Sequence, residues 1–137
     1  MSNEKSIPSV LAVLMCDVFI TDTTTGKKTL VGIFDGLSAA QFPLKTYPFA
    51  VYAKLTDMEG DYNFRIDLIG MEDEARLATF TMRVKSPASR LEKLDCVFSF
   101  QTGVEFERPG HYEFQLYADD VFIGRCTMEV QKREAQQ

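Results

Sequence analysis

Histidine is nearly absent from this chain: His111 is the sole copy in 137 residues. Nucleophilic catalysis by Ser or Cys normally needs a neighbouring base, so this shortage weighs against it. His111 itself follows "RPG" and shares strand parity with Glu113 and Gln115, which predicts an exposed ring at a strand start. There is no G-x-S-x-G elbow, and the glycines stand singly rather than as a phosphate-cradling loop. No cofactor is expected, and the chain reads as a non-enzyme.

Cysteine is also sparse. Cys16, Cys96 and Cys126 form no C-x-x-C pair, and with one His they leave no zinc site. An odd count fits a reducing compartment better than a disulfide framework. Each falls on the apolar parity of its run, beside Leu14 and Val18, Phe98, and Met128 respectively, so the thiols are expected buried and inert. No apolar run reaches transmembrane helix length. The segment "SVLAVLMC" lacks a positive region before it and continues past Asp17 into "VFI", as a strand would. A cytoplasmic location is expected.

Basic residues are too few for a nucleic acid partner, since the net charge is −5 and phosphate binding needs clustered Lys and Arg. The densest group, Arg83, Lys85, Arg90 and Lys93, is interrupted by Glu92 and reads as edge protection for a strand. No membrane partner is expected either.

What the sequence has in abundance is period-two patterning broken by frequent turns. Tyr62, Phe64, Ile66 and Leu68 alternate with Asn63, Arg65 and Asp67, and Ala78, Phe80, Met82 and Val84 alternate with Thr79, Thr81 and Arg83. Only "KSPASRLEK" offers a plausible helical turn. The expected fold is all-β: a single antiparallel β-sandwich, immunoglobulin-like, of about seven to nine strands. Residues 1–8 are expected to be a flexible N-terminus, 9–131 the sandwich, and 132–137 a flexible tail.

The first run breaks the pattern. Leu11, Val13, Met15 and Phe19 lie opposite Ala12, Leu14, Cys16 and Val18, so both faces are apolar. A strand apolar on both faces needs cover on both. Either its own loops or a second subunit supplies it, which admits a homo-oligomer.

Two groups of residues are candidates for a site. If strands simply alternate up and down, the turns carrying Asp57, Asp61, Asp119 and Asp120 share one end, with Asp22 beside them. Clustered carboxylates there could hold Ca²⁺, which wants six to eight oxygens, although Asp is also an ordinary turn residue. The second group is aromatic. "QFPLKTYPF" sets Phe42, Tyr47 and Phe49 around two prolines, where a stiff loop can present rings to a protein partner, or can plug the sandwich. Met15 and Phe19 of the first run join this partner-facing group. The leading expectation is a non-catalytic protein-interaction module. The alternative is a cation- or small-ligand-binding accessory domain using the acidic turns. An apolar-ligand barrel fits less well, because the inward positions are bulky, as in a filled core.

The segments "LVGIFDGLSAAQFP", "VYAKLTDMEGDYNFRIDL" and "RPGHYEFQLYADDVFIG" together resemble an uncharacterised family of small bacterial proteins. In that family an "L-x-G-I-F-D" strand runs into "A-x-x-F-P", a central hairpin follows, and a "P-G-x-Y-x-F-x-L-Y-x-D" strand closes the domain. The likeness extends from about Val10 to Val130. It implies an immunoglobulin-like sandwich in a bacterial cytoplasm, with no activity and no site residues to carry over. Asp120 departs from it by standing where these hairpins commonly have Gly.

The closing hairpin supplies a register test. Tyr112, Phe114 and Leu116 face inward, and a two-residue turn at Asp119–Asp120 would put Val121 and Ile123 inward too. Cys126, Met128 and Val130 are the apolar set beyond, with the opposite parity. A β-bulge at or beside Gly124 is predicted to reconcile them, the alternative being a three-residue loop through Val121.

Overall fold

A computed structural model describes residues 5–134 of the chain. The described residues form eleven strands and no helix. Four of them make one antiparallel sheet: β1 (Ser9–Thr21), β2 (Lys28–Phe34), β5 (Phe49–Thr56) and β8 (Leu94–Phe100), in the order β2-β1-β5-β8. The second sheet has β3 (Gly36–Ala39), β6 (Asp61–Gly70), β7 (Arg76–Lys85), β10 (Gly110–Ala118) and β11 (Val121–Lys132), ordered β3-β11-β10-β6-β7. The short β4 (Leu44–Lys45) and β9 (Glu105–Phe106) pair with each other. The all-β expectation holds. The count exceeds seven to nine because the chain spends short strands on its connections, and β3 lies parallel to β11, so the sheet is not purely antiparallel.

The sheets meet through aromatic side chains. Phe49 of β5 stacks on Phe100 of β8 at 5.1 Å, and both reach Phe114 of β10 at 6.0 and 5.6 Å. Phe80 of β7 meets Phe98 edge-on at 5.8 Å. Such pairs add to the transfer free energy of burying each ring, about 0.5–1.5 kcal/mol apiece. Alternation puts Tyr62, Phe64, Ile66 and Leu68 inward, and all four are buried. β5 is buried along nearly its whole length, as a central strand covered on both faces should be.

The segment "KSPASRLEK" is a turn closed by Glu92 N–H donating to Ser89, not a helix. Pro87 and Ser89 suit a turn at least as well as a helix start. The N-terminal boundary also shifts. Residues 5–8, expected to be flexible, are fastened: Ser6 N–H donates to Glu59 (2.8 Å), its Oγ to the Asp57 carbonyl (2.6 Å), and Pro8 is buried. The rest of that expected terminus, and residues 135–137 of the tail, lie outside the described residues.

The closing hairpin turns at Asp119 and Asp120, whose φ values of 47° and 66° are both left-handed, as a two-residue I′ turn requires. Ala118 pairs with Val121 and Tyr117 with Phe122, but Leu116 pairs with Gly124. Ile123 is therefore the extra residue of a bulge, immediately beside the glycine. Space is tight at Gly124, where a Cβ would sit 3.1 Å from the Val10 side chain of the facing sheet.

A left-handed non-glycine residue costs about 1 kcal/mol. Asp120 is 86% exposed at its side chain, so its ion pair with Arg65 offsets little of this. Asp120→Gly is expected to raise the melting temperature by roughly 3–5 °C in a thermal scan. A lowered melting temperature would show that the Arg65 pair outweighs the backbone cost.

Candidate functional site

Three regions qualify by chemistry: an acidic end, an open cleft at the opposite end, and the β1–β2 hairpin.

The acidic turns do share an end, but Asp22 does not join them. Lys5 donates to the Asp61 carbonyl and sits 3.1 Å from Asp119, tying the β5–β6 and β10–β11 turns together. Asp22 lies beyond Thr21, at the far end of the thirteen-residue β1, where its carboxylate accepts the Thr24 and Thr25 N–H groups. At the shared end each carboxylate faces a cation of the chain. Asp57 pairs with Arg90 at 2.6 Å, Asp61 with Arg83 at 3.6 Å, Asp119 with Lys5, and Asp120 with Arg65 at 2.7 Å. Among the described residues no three His, Cys, Asp or Glu side chains gather as metal ligands. The Tyr62 hydroxyl binds this end together, donating to the Ser6 carbonyl at 2.8 Å and accepting the Glu59 N–H at 2.9 Å. The sequence gives no hint of that clamp, because a Ser in a polar leader carries no periodic signal.

The cleft at the other end encloses about 590 Å³ between Gly70–Leu77 and Gly103–Tyr112. It holds His111, exposed as expected, with Glu72, Asp73, Arg76 and Arg108. Arg108 is tied to Asp73, and the Tyr112 hydroxyl donates to the Arg108 carbonyl at 2.6 Å. No Ser, Thr or Cys lines it, so His111 has no nucleophile there to activate. The thiols lie elsewhere: burial pushes Cys96 and Cys126 up to about 12 and raises Cys16, with Asp17 adding to it. A thiol that high carries almost no thiolate at neutral pH.

The aromatic candidates divide. Phe49 and Met15 belong to the core, 6% and 2% exposed, and cannot touch a partner. Parity could not decide this for Met15, since both faces of its run are apolar. Phe42 is half-buried against the core and Phe19 stacks on Tyr52 at 5.8 Å, whereas Tyr47 is 90% exposed. The connection carrying them is anchored by Thr46, which donates its N–H to the Val104 carbonyl and accepts the Val104 N–H on Oγ1.

Apolar surface remains on the β1–β2 hairpin. Leu14, Val18 and Ile20 of β1, and Val31 and Ile33 of β2, are each 39–58% exposed. Val18 pairs with Val31, and Cys16 with Ile33, so these side chains are cross-strand neighbours. Toward β5 the outer face closes over, with Phe19 turned onto Tyr52, so Val18 and Ile20 lie on the opposite side of β1 from that stack. Tyr52 is buried there, bonded to Asp95, and Lys54 lies 3.9 Å from Asp95. The ladder is interrupted between these regions, where Asp17 and Gly32 are unpaired. Leu11 is exposed for a different reason: the β1–β5 register shifts between Val10 and Ala12 and extrudes it.

At the acidic end, the Asn63 N–H bond and the Lys5 ammonium hold the Asp119 carboxyl below its ordinary range. Its stabilising contribution is present above the unfolded carboxyl value, about 3.9, and is lost as pH falls through the lower folded value. The stability of the natural chain relative to Asp119→Asn, measured by urea unfolding, is expected to fall between about pH 6 and pH 3. A constant difference across that range would contradict the assignment.

Comparisons with known proteins come from three directions. No curated protein matches the chain. Among solved structures, an immunoglobulin-like protein from Pseudomonas aeruginosa aligns over 91% of this chain and 97% of its own, at 13% identity and a TM-score of 0.46. A β-glucosidase from Listeria innocua, solved with isofagomine, aligns over 74% of this chain at 10% identity and a TM-score of 0.45. The aligned part is only 15% of that enzyme. A family model described as a family of unknown function (DUF6941) matches residues 11–131, nearly the whole described sandwich. The chain belongs to that family of unknown function, DUF6941.

Proposed function

We propose that this protein is a non-catalytic, immunoglobulin-like interaction module of the bacterial cytoplasm, and that it binds a protein partner through the exposed aliphatic residues of β1 and β2. The observation that carries this reading is the exposed cluster Leu14, Val18, Ile20, Val31 and Ile33. Scattered exposed aliphatics are ordinary, but five within two paired strands, with Val18 directly opposite Val31, are a concentration that costs solubility unless it is covered in use. The raised thiols and a cleft without a nucleophile support a binding role over a catalytic one. Three free cysteines, Cys16 and Cys96 buried and Cys126 half-buried, suit the cytoplasm. No described helix is long and apolar enough to cross a membrane.

The test is affinity capture from the native host with the natural chain and with the double variant Val18→Glu/Ile33→Glu. Both positions are exposed, so the fold should survive, as circular dichroism and melting would show. Losing two buried aliphatic contacts, at about 1.5 kcal/mol each, should weaken partner binding roughly 100-fold. A folded double variant that retains every partner of the natural chain would contradict the proposal.

A further inference from the structure

We infer that β7 is a docking edge for an acidic, extended segment of another protein, which adds to the five-stranded sheet as an antiparallel strand. This edge is separate from the β1–β2 hairpin and belongs to the other sheet.

The backbone of that edge is long and unoccupied. β3 and β7 are the edges of the five-stranded sheet, and β2 and β8 those of the four-stranded one. At ten residues β7 is the longest of the four. Its pairing with β6 runs without interruption from Asp61–Lys85 to Leu68–Ala78. Hydrogen-bonded and non-bonded pairs alternate along such a ladder. Ser86 donates its N–H to the Gly60 carbonyl in the same register, so the bonded pairs are Tyr62–Val84, Phe64–Met82, Ile66–Phe80 and Leu68–Ala78. The other side of β6 agrees. Asp119 donates to the Asn63 carbonyl and Met71 to the His111 carbonyl, both in the β6–β10 register, so Asn63, Arg65 and Asp67 bond toward β10. Thr79, Thr81, Arg83 and Lys85 therefore turn their N–H and C=O groups away from β6, where no further strand lies among the described residues.

Charge selects the occupant. The side chains that accompany those outward groups, Thr79, Thr81, Arg83 and Lys85, are all exposed on the outer face of the sheet. β7 also carries Arg76 and has no acidic residue, in a chain of net charge −5. Arg83 lies 3.6 Å from Asp61 of β6, yet its side chain stays 74% exposed. Lys85 has no ion pair among the described residues. A strand added here sets its own side chains directly opposite Arg83 and Lys85, so Asp or Glu is favoured there and Lys or Arg is repelled. The cations that guard this edge against basic strands thus select an acidic one.

The inner row selects the residues between the acids. Phe80, Met82 and Val84 are half-buried, whereas their partners Ile66, Phe64 and Tyr62 are buried. Apolar side chains alternating with the acids extend the core over that open margin. Main-chain bonds supply the affinity of such strand addition, and the alternating rows supply its specificity.

Blocked peptides about as long as Ala78–Lys85 test this, one alternating Glu with Val and one alternating Lys with Val, with binding to the full chain read by fluorescence anisotropy. The Glu peptide is expected to bind, and the Lys peptide to bind about tenfold more weakly or less. Arg83→Glu/Lys85→Glu, checked for folding by its melting curve, should weaken the Glu peptide by about tenfold or more. N-methylation needs no variant of the protein. Methyl groups on the Glu amides, which face β7, should abolish binding, while methyl groups on the Val amides should leave it. Amide exchange at Thr81 and Arg83 should slow when the peptide is present. No binding of the Glu peptide up to about 1 mM overturns the inference, as does equal binding of the two peptides. Binding unchanged by the double reversal, or lost equally whichever amides are methylated, uses another surface and overturns it too. A concentration-dependent dimer that protects Thr81 and Arg83 without peptide puts a second copy on the edge instead, and the acidic partner falls.

Discussion

The stack of Phe49 on Phe100, with Phe114 closing on both from the other sheet, is the constraint on which the rest of the structure depends. Once these rings occupy the space between the sheets, the inward parity of β5, β8 and β10 is fixed, and pairing transmits it to the neighbours. Met15 goes inward because it pairs with Val51, and Cys16 then falls on the outer side. Beyond Cys16 that control ends, because β5 pairs with β1 no further, and Val18 and Ile20 are exposed there.

This separates two kinds of burial that the sequence presents alike. Strand β5 is apolar on both faces and is covered on both, with Tyr52 closing its outer side. Strand β1 is equally apolar, and is covered on both faces at Met15 and Cys16 but left open at Val18 and Ile20, where β5 no longer accompanies it. The difference is position: β5 lies between β1 and β8, while β1 is followed only by β2, a narrow edge strand that is itself exposed. Hydrophobic patterning measures how much cover a strand wants, and sheet order determines how much it receives.

The same distinction explains what could be read in advance. The alternating faces of β6 and the inward set of β10 were legible because one face of each is polar. The bulge beside Gly124 was legible because two apolar sets of opposite parity must be reconciled. The strand count was not, because β4 and β9 are two-residue pairings that leave no periodic signal. Nor was the place of Asp22, which depends on the full length of β1. The partner-facing role given to Phe49 and Met15 failed because an aromatic near a proline, or a methionine in a doubly apolar run, looks the same whether it fills the core or faces out. Of the three aromatics in that loop, Tyr47 alone is exposed. The four acidic turn residues share an end as alternation implied, yet each is matched by a cation drawn from a distant part of the sequence.

The account comes down to whether the three stacked rings hold the two sheets together. Urea unfolding of the natural chain and of Phe114→Ala reads this most directly, since Phe114 is fully buried and meets both Phe49 and Phe100. A loss of about 3–5 kcal/mol of stability is expected. A loss below about 1 kcal/mol would contradict it.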